Sequence, residues 1–196
     1  MDNGRLVVGL GNPGTEYAST RHNAGFLVAE ELFSRHGCTT WQEKWKGAFA
    51  SVRIGGLPVV LLRPLTFMNL SGRSVARAAG FQQIEPPEIV VVHDDLDLEF
   101  GAVRVKVGGG MGGHKGLVSL KSDLGSADFV RVRVGIGRPV HGTATDFVLQ
   151  RFRPDEIQIL TNVIARAADA VESVIKHGTN RAMNEFNQRG GERDEP

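Results

Sequence analysis

Hydrophobic and polar positions follow two different periods along this chain. Short apolar runs that end in glycine or in acidic residues, such as "RLVVGL" and "EIVVVHDDLDL", are typical of buried strands. Stretches such as "NAGFLVAEELFSRHG" and "NLSGRSVARAAGF" repeat their apolar residues with helical spacing. In "GAFASVRIGGLPVVLLRP" two apolar runs are joined by "GGLP", which predicts a hairpin. We therefore predict an α/β fold in which a mixed, largely parallel twisted sheet is flanked by helices on both faces.

The C-terminal third of the chain predicts one long helix. Pro154 suits its first position, acidic residues follow in the first turn, and apolar residues then recur with a period of 3.6 until Gly178. Beyond it, "QRGGERDEP" has no apolar residue and predicts a disordered tail over 189–196. Because no linker or internal repeat interrupts the pattern, we predict a single domain over 1–188.

Composition restricts the cellular compartments and the classes of partner that are expected for this chain. No apolar run approaches the roughly 20 residues that span a bilayer, and the N-terminus lacks the features of a secretion signal. Cys38 is the only cysteine, so an internal disulfide cannot form and a cysteine-built zinc site is disfavoured. We predict a cytoplasmic protein with no membrane partner. The net charge of +1 does not decide whether nucleic acid binds, since a local basic patch can supply phosphate contacts.

Polar and aromatic residues collect at the ends of the predicted strands. In α/β sheets, ligands bind beyond the carboxyl ends of the strands, so these residues are expected to meet in one cleft. They come from "GNPGTEYASTRHNAG", "RPLTFMNLSG", "HDDLD" and "GGGMGGHKGL". The set comprises Asn12, Tyr17, His22, Asn23, Phe67, Met68, Asn69, His93, Asp94, Asp95, His114 and Lys115.

Two kinds of group in this set suit hydrolytic chemistry. If Asp94 or Asp95 lies beside His22, the carboxylate fixes the imidazole tautomer and the histidine becomes a general base; otherwise His22 is a structural histidine. The amides of Asn12 and Asn69 would position a carbonyl group and stabilise a developing oxyanion. The alternative is that both are ordinary turn residues, with Asn69 serving as a helix N-cap.

Two ligand hypotheses fail on their context. The stretch "GLGNPG" fits the glycine spacing of a dinucleotide-binding turn, but Pro13 removes a backbone donor from the turn. The next seven residues show no apolar helical face, so we predict no nucleotide cofactor. The acids of "HDDLD" would suit a divalent ion, but their spacing does not match a calcium-binding loop, and we predict no metal.

Basic residues flank the glycine-rich stretch "GGGMGGHKG", which is read as a flexible linker or as a mobile loop that approaches a ligand. Arg104 and Lys106 alternate with valines in one strand, and Arg131 and Arg133 do so in another. Alternation alone predicts a solvated face of the sheet. Four cations on two neighbouring strands also suit a phosphate backbone.

Taken together, "GLGNPGTEYASTRHNAGF", "RPLTFMNLSG", "HDDLDLEFG", "GGGMGGHKGL" and "DFVRVRVGIGRP" resemble the bacterial-type peptidyl-tRNA hydrolase family. The motifs occur in that family's order and cover roughly residues 5 to 140. The resemblance implies an enzyme that hydrolyses the ester between a peptide and the 3′ end of tRNA, and so recycles tRNA from peptidyl-tRNA released during translation. It also implies a monomer that uses no metal or other cofactor.

The resemblance implies roles for individual residues as well. The family's general base falls on His22, the acid that orients it on Asp94, and the amide that recognises N-blocked substrates on Asn12. The family's contacts to the tRNA end or the peptide fall on Tyr17, Phe67, Met68 and Asn69. Its contacts to tRNA phosphates fall on Lys106 and Arg133.

One position departs from the family pattern. Many members have "GGHNG" where this chain has "GGHKG", so Lys115 replaces an amide with an ammonium group that can only donate. Lys115 would bind a phosphate, bind the developing oxyanion, or lower the pKa of His22 by charge repulsion. The departure supports an alternative function, that of an RNA-binding protein of the same fold with weak or lost hydrolase activity.

Overall fold

The computed structural model describes residues 4–188. Its strands are β1 (Arg5–Gly9), β2 (Gln42–Lys44), β3 (Gly47–Ile54), β4 (Leu57–Pro64), β5 (Ile89–Asp95), β6 (Val103–Val107) and β7 (Val130–Gly135). Its helices are α1 (Ala24–Arg35), α2 (Ser71–Gln82), α3 (Lys115–Leu124), α4 (Ala144–Val148), α5 (Pro154–His177) and α6 (Thr179–Phe186). Short 3-10 turns lie at Arg21–Asn23, Met68–Leu70 and Pro86–Glu88.

Within the described residues, the strands form one sheet in the order β2-β3-β4-β1-β5-β7-β6. The four central strands, β4, β1, β5 and β7, run parallel to one another. Antiparallel neighbours complete both edges, with β2 and β3 on one side and β6 on the other. The predicted α/β class with a mixed, largely parallel sheet is confirmed, and so is the hairpin at "GGLP", which joins β3 to β4.

Helices cover both faces of the sheet, as predicted. One face packs against α1, α5 and α6, and the other against α2 and α3. The strands β1, β4 and β5 therefore contribute apolar side chains to two cores, which explains why their sequences are almost continuous runs of valine, leucine and isoleucine. The predicted long helix is α5, which begins at Pro154 and is capped by Gly178.

A close contact between α1 and the sheet positions the segment that precedes α1. A Cβ atom on Gly25, in the first turn of α1, would lie 2.4 Å from the backbone nitrogen of Leu10 and 2.4 Å from the carbonyl oxygen of Val92. Only glycine permits this approach of helix to strand. The 3-10 turn that precedes α1 is thereby held against the carboxyl ends of β1 and β5.

Some sequence-based interpretations change in the structure. Asn69 is not a helix N-cap, since it lies inside a 3-10 turn and Leu70 is the residue that precedes α2. No helix among residues 4–188 is long and apolar enough to cross a membrane. The tail predicted to be disordered, 189–196, lies outside the described residues, and the domain boundary at 188 stays a prediction.

Candidate active site

The centre of the site is a buried pair formed by His22 and Asp94. His22 lies in the 3-10 turn before α1, and Asp94 lies near the carboxyl end of β5. The Nδ1 atom of His22 is 2.9 Å and 3.0 Å from the two carboxylate oxygens of Asp94. Of the two carboxylates that the sequence offered to His22, Asp94 is therefore its partner.

Asp95 pairs with Arg133 and not with His22. Its Oδ2 atom accepts a 2.7 Å hydrogen bond from the Nε atom of Arg133. Burial raises the pKa of Asp95, but the hydrogen bond from Arg133 and the backbone N–H of Asp97 outweigh that effect and leave its pKa below the usual value. Asp95 is thus an ionised partner for a cation of β7.

A second histidine donates to Asp94. The Nε2 atom of His114 lies 3.0 Å from Asp94 Oδ1. As the N-cap of α3, the Nδ1 atom of His114 accepts from the backbone N–H groups of Gly116 and Leu117, at 3.1 Å and 3.4 Å. Because a backbone N–H can only donate, Nδ1 of His114 carries no proton and its Nε2 must carry one. His114 was among the strand-end residues of the sequence, but no role was predicted for it.

The two imidazoles keep Asp94 ionised. Burial alone would raise its pKa, but the charge interaction with His114 and the hydrogen bonds from His114 and His22 hold the pKa of Asp94 well below its usual range. An ionised carboxylate only accepts, so His22 Nδ1 must donate to it. The Nε2 atom of His22 then keeps a free lone pair, as a general base requires.

A third histidine stays neutral beside this group. Burial, with a smaller electrostatic contribution from nearby His114, lowers the pKa of His93 to about 3. The Nδ1 atom of His93 is 2.7 Å from the carbonyl oxygen of Asp94, so it donates there and fixes the backbone next to the carboxylate. Because His93 is uncharged, it brings no positive charge into the buried cluster.

The 3-10 turn that carries His22 is anchored on the segment before α5. The Arg21 guanidinium donates to Glu156 at 2.6 Å, and both side chains are almost fully buried. It also donates to the carbonyl oxygen of Arg151 and lies 4.4 Å from the centroid of the Phe147 ring. These contacts set the backbone on the N-terminal side of His22.

Asn12 presents one amide group to the cavity. Its backbone N–H donates to the side chain of Asn23, which in turn donates to the Asn12 carbonyl, both at 2.9 Å. Its Oδ1 atom accepts from the backbone N–H of Met68 at 2.8 Å. With the oxygen occupied, the Nδ2 group is the part of Asn12 that remains for a ligand.

These residues surround a cavity of about 670 Å³. All of the strand-end residues singled out from the sequence line it except Tyr17, a half-buried residue in the loop after β1, and Asn23, which is buried beside Asn12. The lining includes Asn12, His22, Phe67, Met68, Asn69, Asp94, Lys106, Lys115 and Arg133. The strand ends thus converge on one cleft, as expected, while the role of Tyr17 stays a prediction.

The basic residues predicted on β6 and β7 differ in whether their charged groups are free to contact a ligand. Arg131 is buried and donates to the carbonyl groups of Gly109 and Gly110 at 2.8 Å and 2.7 Å, so it holds the glycine-rich loop. Arg104 donates to the carbonyl group of Phe186, in α6, and does not line the cavity. Lys106 is exposed at the cavity and has no ion-pair partner among residues 4–188.

The geometry also permits a test of metal binding. Ligand atoms of His22, Asp94 and His114 lie within 4.8 Å of one another. A metal bound to the Nε2 atom of His114 would displace the proton there while backbone N–H groups still occupy Nδ1. Neutral imidazole offers a single lone pair, and the backbone already uses it. The donor set does not fit a metal ion in this arrangement.

A histidine with a free Nε2, an ionised carboxylate behind it and an amide donor in the same cavity are groups that suit a hydrolytic enzyme of the α/β class. The comparisons with known proteins identify the family. The family model for peptidyl-tRNA hydrolase matches residues 6–194. The chain therefore belongs to the peptidyl-tRNA hydrolase family.

Individual relatives match over almost their whole length. The chain is 49% identical to the peptidyl-tRNA hydrolase of Citrifermentans bemidjiense over 94% of this chain and 98% of the relative. It is 46% identical to that of Symbiobacterium thermophilum over 93% of this chain and 98% of the relative. The crystal structure of peptidyl-tRNA hydrolase from Acinetobacter baumannii superposes with a TM-score of 0.88 at 39% identity, covering 95% of this chain and 96% of that one.

These similarities confirm the predicted family, fold and enzyme class. The activity predicted from the sequence, hydrolysis of peptidyl-tRNA, is that of the family. The alternative, an RNA-binding protein of the same fold without hydrolase activity, is not favoured by any of the relatives described above.

Proposed function

We propose that His22 is the general base of peptidyl-tRNA hydrolysis in this chain. The observation that carries the proposal is the orientation of His22 by Asp94, which leaves Nε2 free to face the cavity. The oxygen of a water molecule bonds to the ester carbonyl carbon while one of its protons moves to His22 Nε2. General-base assistance of this kind contributes about 10²–10⁴ in rate.

The same proton completes the reaction. When the tetrahedral intermediate collapses, the ester bond to the terminal ribose breaks and the ribose oxygen takes the proton from the His22 imidazolium. The products are a peptide with a free carboxylate and a tRNA with a free ribose hydroxyl. Asp94 stabilises the imidazolium between the two transfers, because it is ionised and in direct contact with Nδ1.

The Nδ2 group of Asn12 and the amide of Asn69 are proposed to hold the substrate carbonyl and peptide bond. Asn12 is suited to this task because its oxygen and its backbone are already fixed by hydrogen bonds. A donor held in place in this way needs no reorganisation as negative charge develops on the carbonyl oxygen.

The tRNA acceptor end is proposed to lie across the cationic side of the cavity. Lys106 and Lys115 are exposed there, and Arg133 lines the same cavity from β7. Phosphates of the acceptor end would contact these cations and so fix the ester at His22. We assign Lys115 to this phosphate contact because it lines the cavity as the first residue of α3, directly after His114.

We further propose that the chain acts as a monomer in the cytoplasm. All the groups of the proposed mechanism come from one chain, since the cavity contains the base, its carboxylate and the amide donors. The substrate arises where ribosomes release unfinished chains, which supports the cytoplasm as the place of action. The mass of the enzyme in dilute solution, measured by light scattering, tests the monomer.

The decisive experiment replaces the base. We expect His22→Ala to abolish release of N-acetyl-amino acid from N-acetyl-aminoacyl-tRNA. The matched control is His141→Ala, which removes an exposed histidine in the segment before α4 and should leave turnover unchanged. Equal thermal unfolding of both variants would show that folding is intact. Turnover by His22→Ala close to that of the original chain would overturn the proposed mechanism.

A further inference from the structure

The turn between β2 and β3 carries two large side chains in a disfavoured conformation. Trp45 and Lys46 connect the two strands, and both have positive φ angles, 54° and 55°. Two-residue hairpin turns of this conformation favour asparagine and glycine, because other side chains crowd the backbone there. Local strain of this kind persists where the placement of the side chains serves a contact.

An aromatic cluster forms around this turn. The ring centroid of Trp45 lies 4.9 Å from that of Phe49 and 5.4 Å from that of Phe81, in the last turn of α2. Phe81 is 62% exposed, although its neighbours in the cluster are half-buried. The Nζ atom of Lys44 lies 3.7 Å from the centroid of the Phe81 ring. An aromatic ring is thus displayed to solvent with a cation above it.

Further positive charge borders the cluster. Lys46 is exposed in the turn, and Arg77 is exposed one helical turn before Phe81, so it lies on the same face of α2. In the part of the chain that the structure describes, neither of them nor Lys44 has an acidic partner within ion-pair distance. We call Lys44, Trp45, Lys46, Arg77 and Phe81 the aromatic–cationic surface.

This surface is continuous with the catalytic cavity. The carbonyl oxygen of Lys46 accepts a 2.9 Å hydrogen bond from the backbone N–H of Leu65. Leu65 is 38% exposed and Phe67 is 60% exposed, and Phe67 also lines the cavity. A path of exposed apolar side chains therefore leads from the reacting centre to the turn at Trp45.

The sheet order places this surface opposite the cations of the proposed tRNA side. Asp94 lies on β5; β7 and β6 follow on one side, whereas β1, β4 and β3 follow on the other. Because β3 is antiparallel to β4, with Gly47 opposite Pro64, the turn at Trp45 lies at the carboxyl edge of the parallel strands. Three strand spacings of ~4.8 Å place β3 about 14 Å from β5, which an extended peptide spans in about four residues.

We propose that the aromatic–cationic surface binds the peptide of peptidyl-tRNA from about the fourth residue before the ester, and that it favours acidic and aromatic side chains there. The proposal rests on the orientation given above, in which the tRNA lies on Lys106 and Arg133. With the ester held at His22, the two arms of the substrate leave in opposite directions, and the peptide follows Phe67 and Leu65. Carboxylates would pair with the unpartnered cations, and apolar side chains would pack on the exposed ring of Phe81.

The test compares substrates that differ only beyond the third residue. Three are needed: an N-acetyl-aminoacyl-tRNA, a hexapeptidyl-tRNA with aspartate and phenylalanine at the fourth and fifth residues before the ester, and one with glycine and serine there. We expect a KM at least about threefold lower for the aspartate–phenylalanine peptide than for the glycine–serine peptide, with unchanged kcat. Lys44→Ala and Phe81→Ala should each reduce that difference and leave the N-acetyl substrate unaffected.

A matched control and three contrary outcomes make the test sharp. Lys176→Ala removes a lysine from α5, on the opposite face of the sheet, and should change no KM value. Equal KM values for the two hexapeptidyl substrates in the original chain would overturn the proposal. A rise in the KM of the N-acetyl substrate in Lys44→Ala would also overturn it, and so would weaker binding of deacylated tRNA by that variant. Either result would mean that the surface contacts the tRNA and not the peptide. Failure to cleave the N-acetyl substrate at all would instead refute the proposed function.

Discussion

Replacing Asp94 with asparagine tests the proton arrangement at the centre of the site. The carboxylate of Asp94 accepts from His22 and from His114, whereas an asparagine offers one acceptor oxygen and one donor group. His114 cannot change its tautomer, since backbone N–H groups of α3 occupy its Nδ1 atom. The asparagine oxygen must therefore take the Oδ1 position that faces His114, and its amino group takes the Oδ2 position, 3.0 Å from His22 Nδ1.

The consequence is a competition at His22 Nδ1, because the new amino group lies as close to it as the oxygen does. Where Nδ1 accepts from the amino group, Nε2 carries the proton and cannot accept one from water. Loss of general-base assistance removes a factor of about 10²–10⁴ in kcat. At 1.36 kcal/mol per tenfold change in rate, the transition state loses about 2.7–5.4 kcal/mol of stabilisation. Single-turnover hydrolysis of N-acetyl-aminoacyl-tRNA measures this loss directly.

A second substitution separates this explanation from a simple loss of charge. In Asp94→Asn combined with His114→Ala, the asparagine is free to rotate and present its oxygen to His22, which restores the original tautomer. We therefore expect the double variant to be faster than Asp94→Asn alone, although slower than the original chain, because the carboxylate charge is still missing. A double variant that is as slow as Asp94→Asn, or slower, would falsify the assignment of the His114 proton.

Three further predictions concern stability and packing. Because folding lowers the pKa of Asp94, its ionisation stabilises the fold above the unfolded-state pKa of about 3.9, and this stabilisation is lost as the pH falls further. The free energy of unfolding measured in urea should therefore fall more steeply below pH ~4 in the original chain than in Asp94→Asn. Glu156→Ala leaves the Arg21 guanidinium buried without its carboxylate and should lower the free energy of unfolding by about 3–5 kcal/mol; a loss under about 1 kcal/mol would contradict the importance of this pair. Gly25→Ala should reduce both stability and kcat, because the new Cβ would clash with backbone atoms of Leu10 and Val92. In the control Gly80→Ala, in α2, the new Cβ meets no atom within 4 Å, so this variant should be neutral or more stable by about 0.5–1 kcal/mol. Equal effects of the two substitutions would refute the close-packing explanation.

The sequence predicted the fold best where burial restricts a segment to apolar residues. Buried strands must be apolar on both faces, so β1, β4 and β5 could be recognised as runs of valine, leucine and isoleucine. The carboxyl end of β5 and the loop that follows β1 then yielded Asp94 and His22 as candidate partners. By contrast β2 has the sequence "QEK" with all three residues exposed, and no hydrophobic pattern marks it.

The part of the site that the sequence did not reveal depends on backbone groups. The role of His114 follows from N–H groups at the start of α3, a helix that directly follows a stretch of glycines. Arg131 was predicted on a cationic face, but loop carbonyl groups bind its guanidinium. Arg104 is drawn to a carbonyl group near the C-terminal end of the described chain. Residue spacing carries no information on which backbone group a long side chain will meet.

The anchoring of the catalytic turn has a consequence for motion. Thr20 and Arg151 form a backbone bridge, Arg21 N–H donates to the carbonyl oxygen of Gln150, and Phe152 N–H donates to that of Ser19. The segment that carries His22 and the segment that leads into α5 are therefore joined by main-chain hydrogen bonds. Segments joined in this way unfold locally as one unit, so hydrogen exchange should show equal protection for the backbone amides of both segments. Local unfolding at the start of α5 would therefore separate His22 from Asp94 while the central strands remain intact.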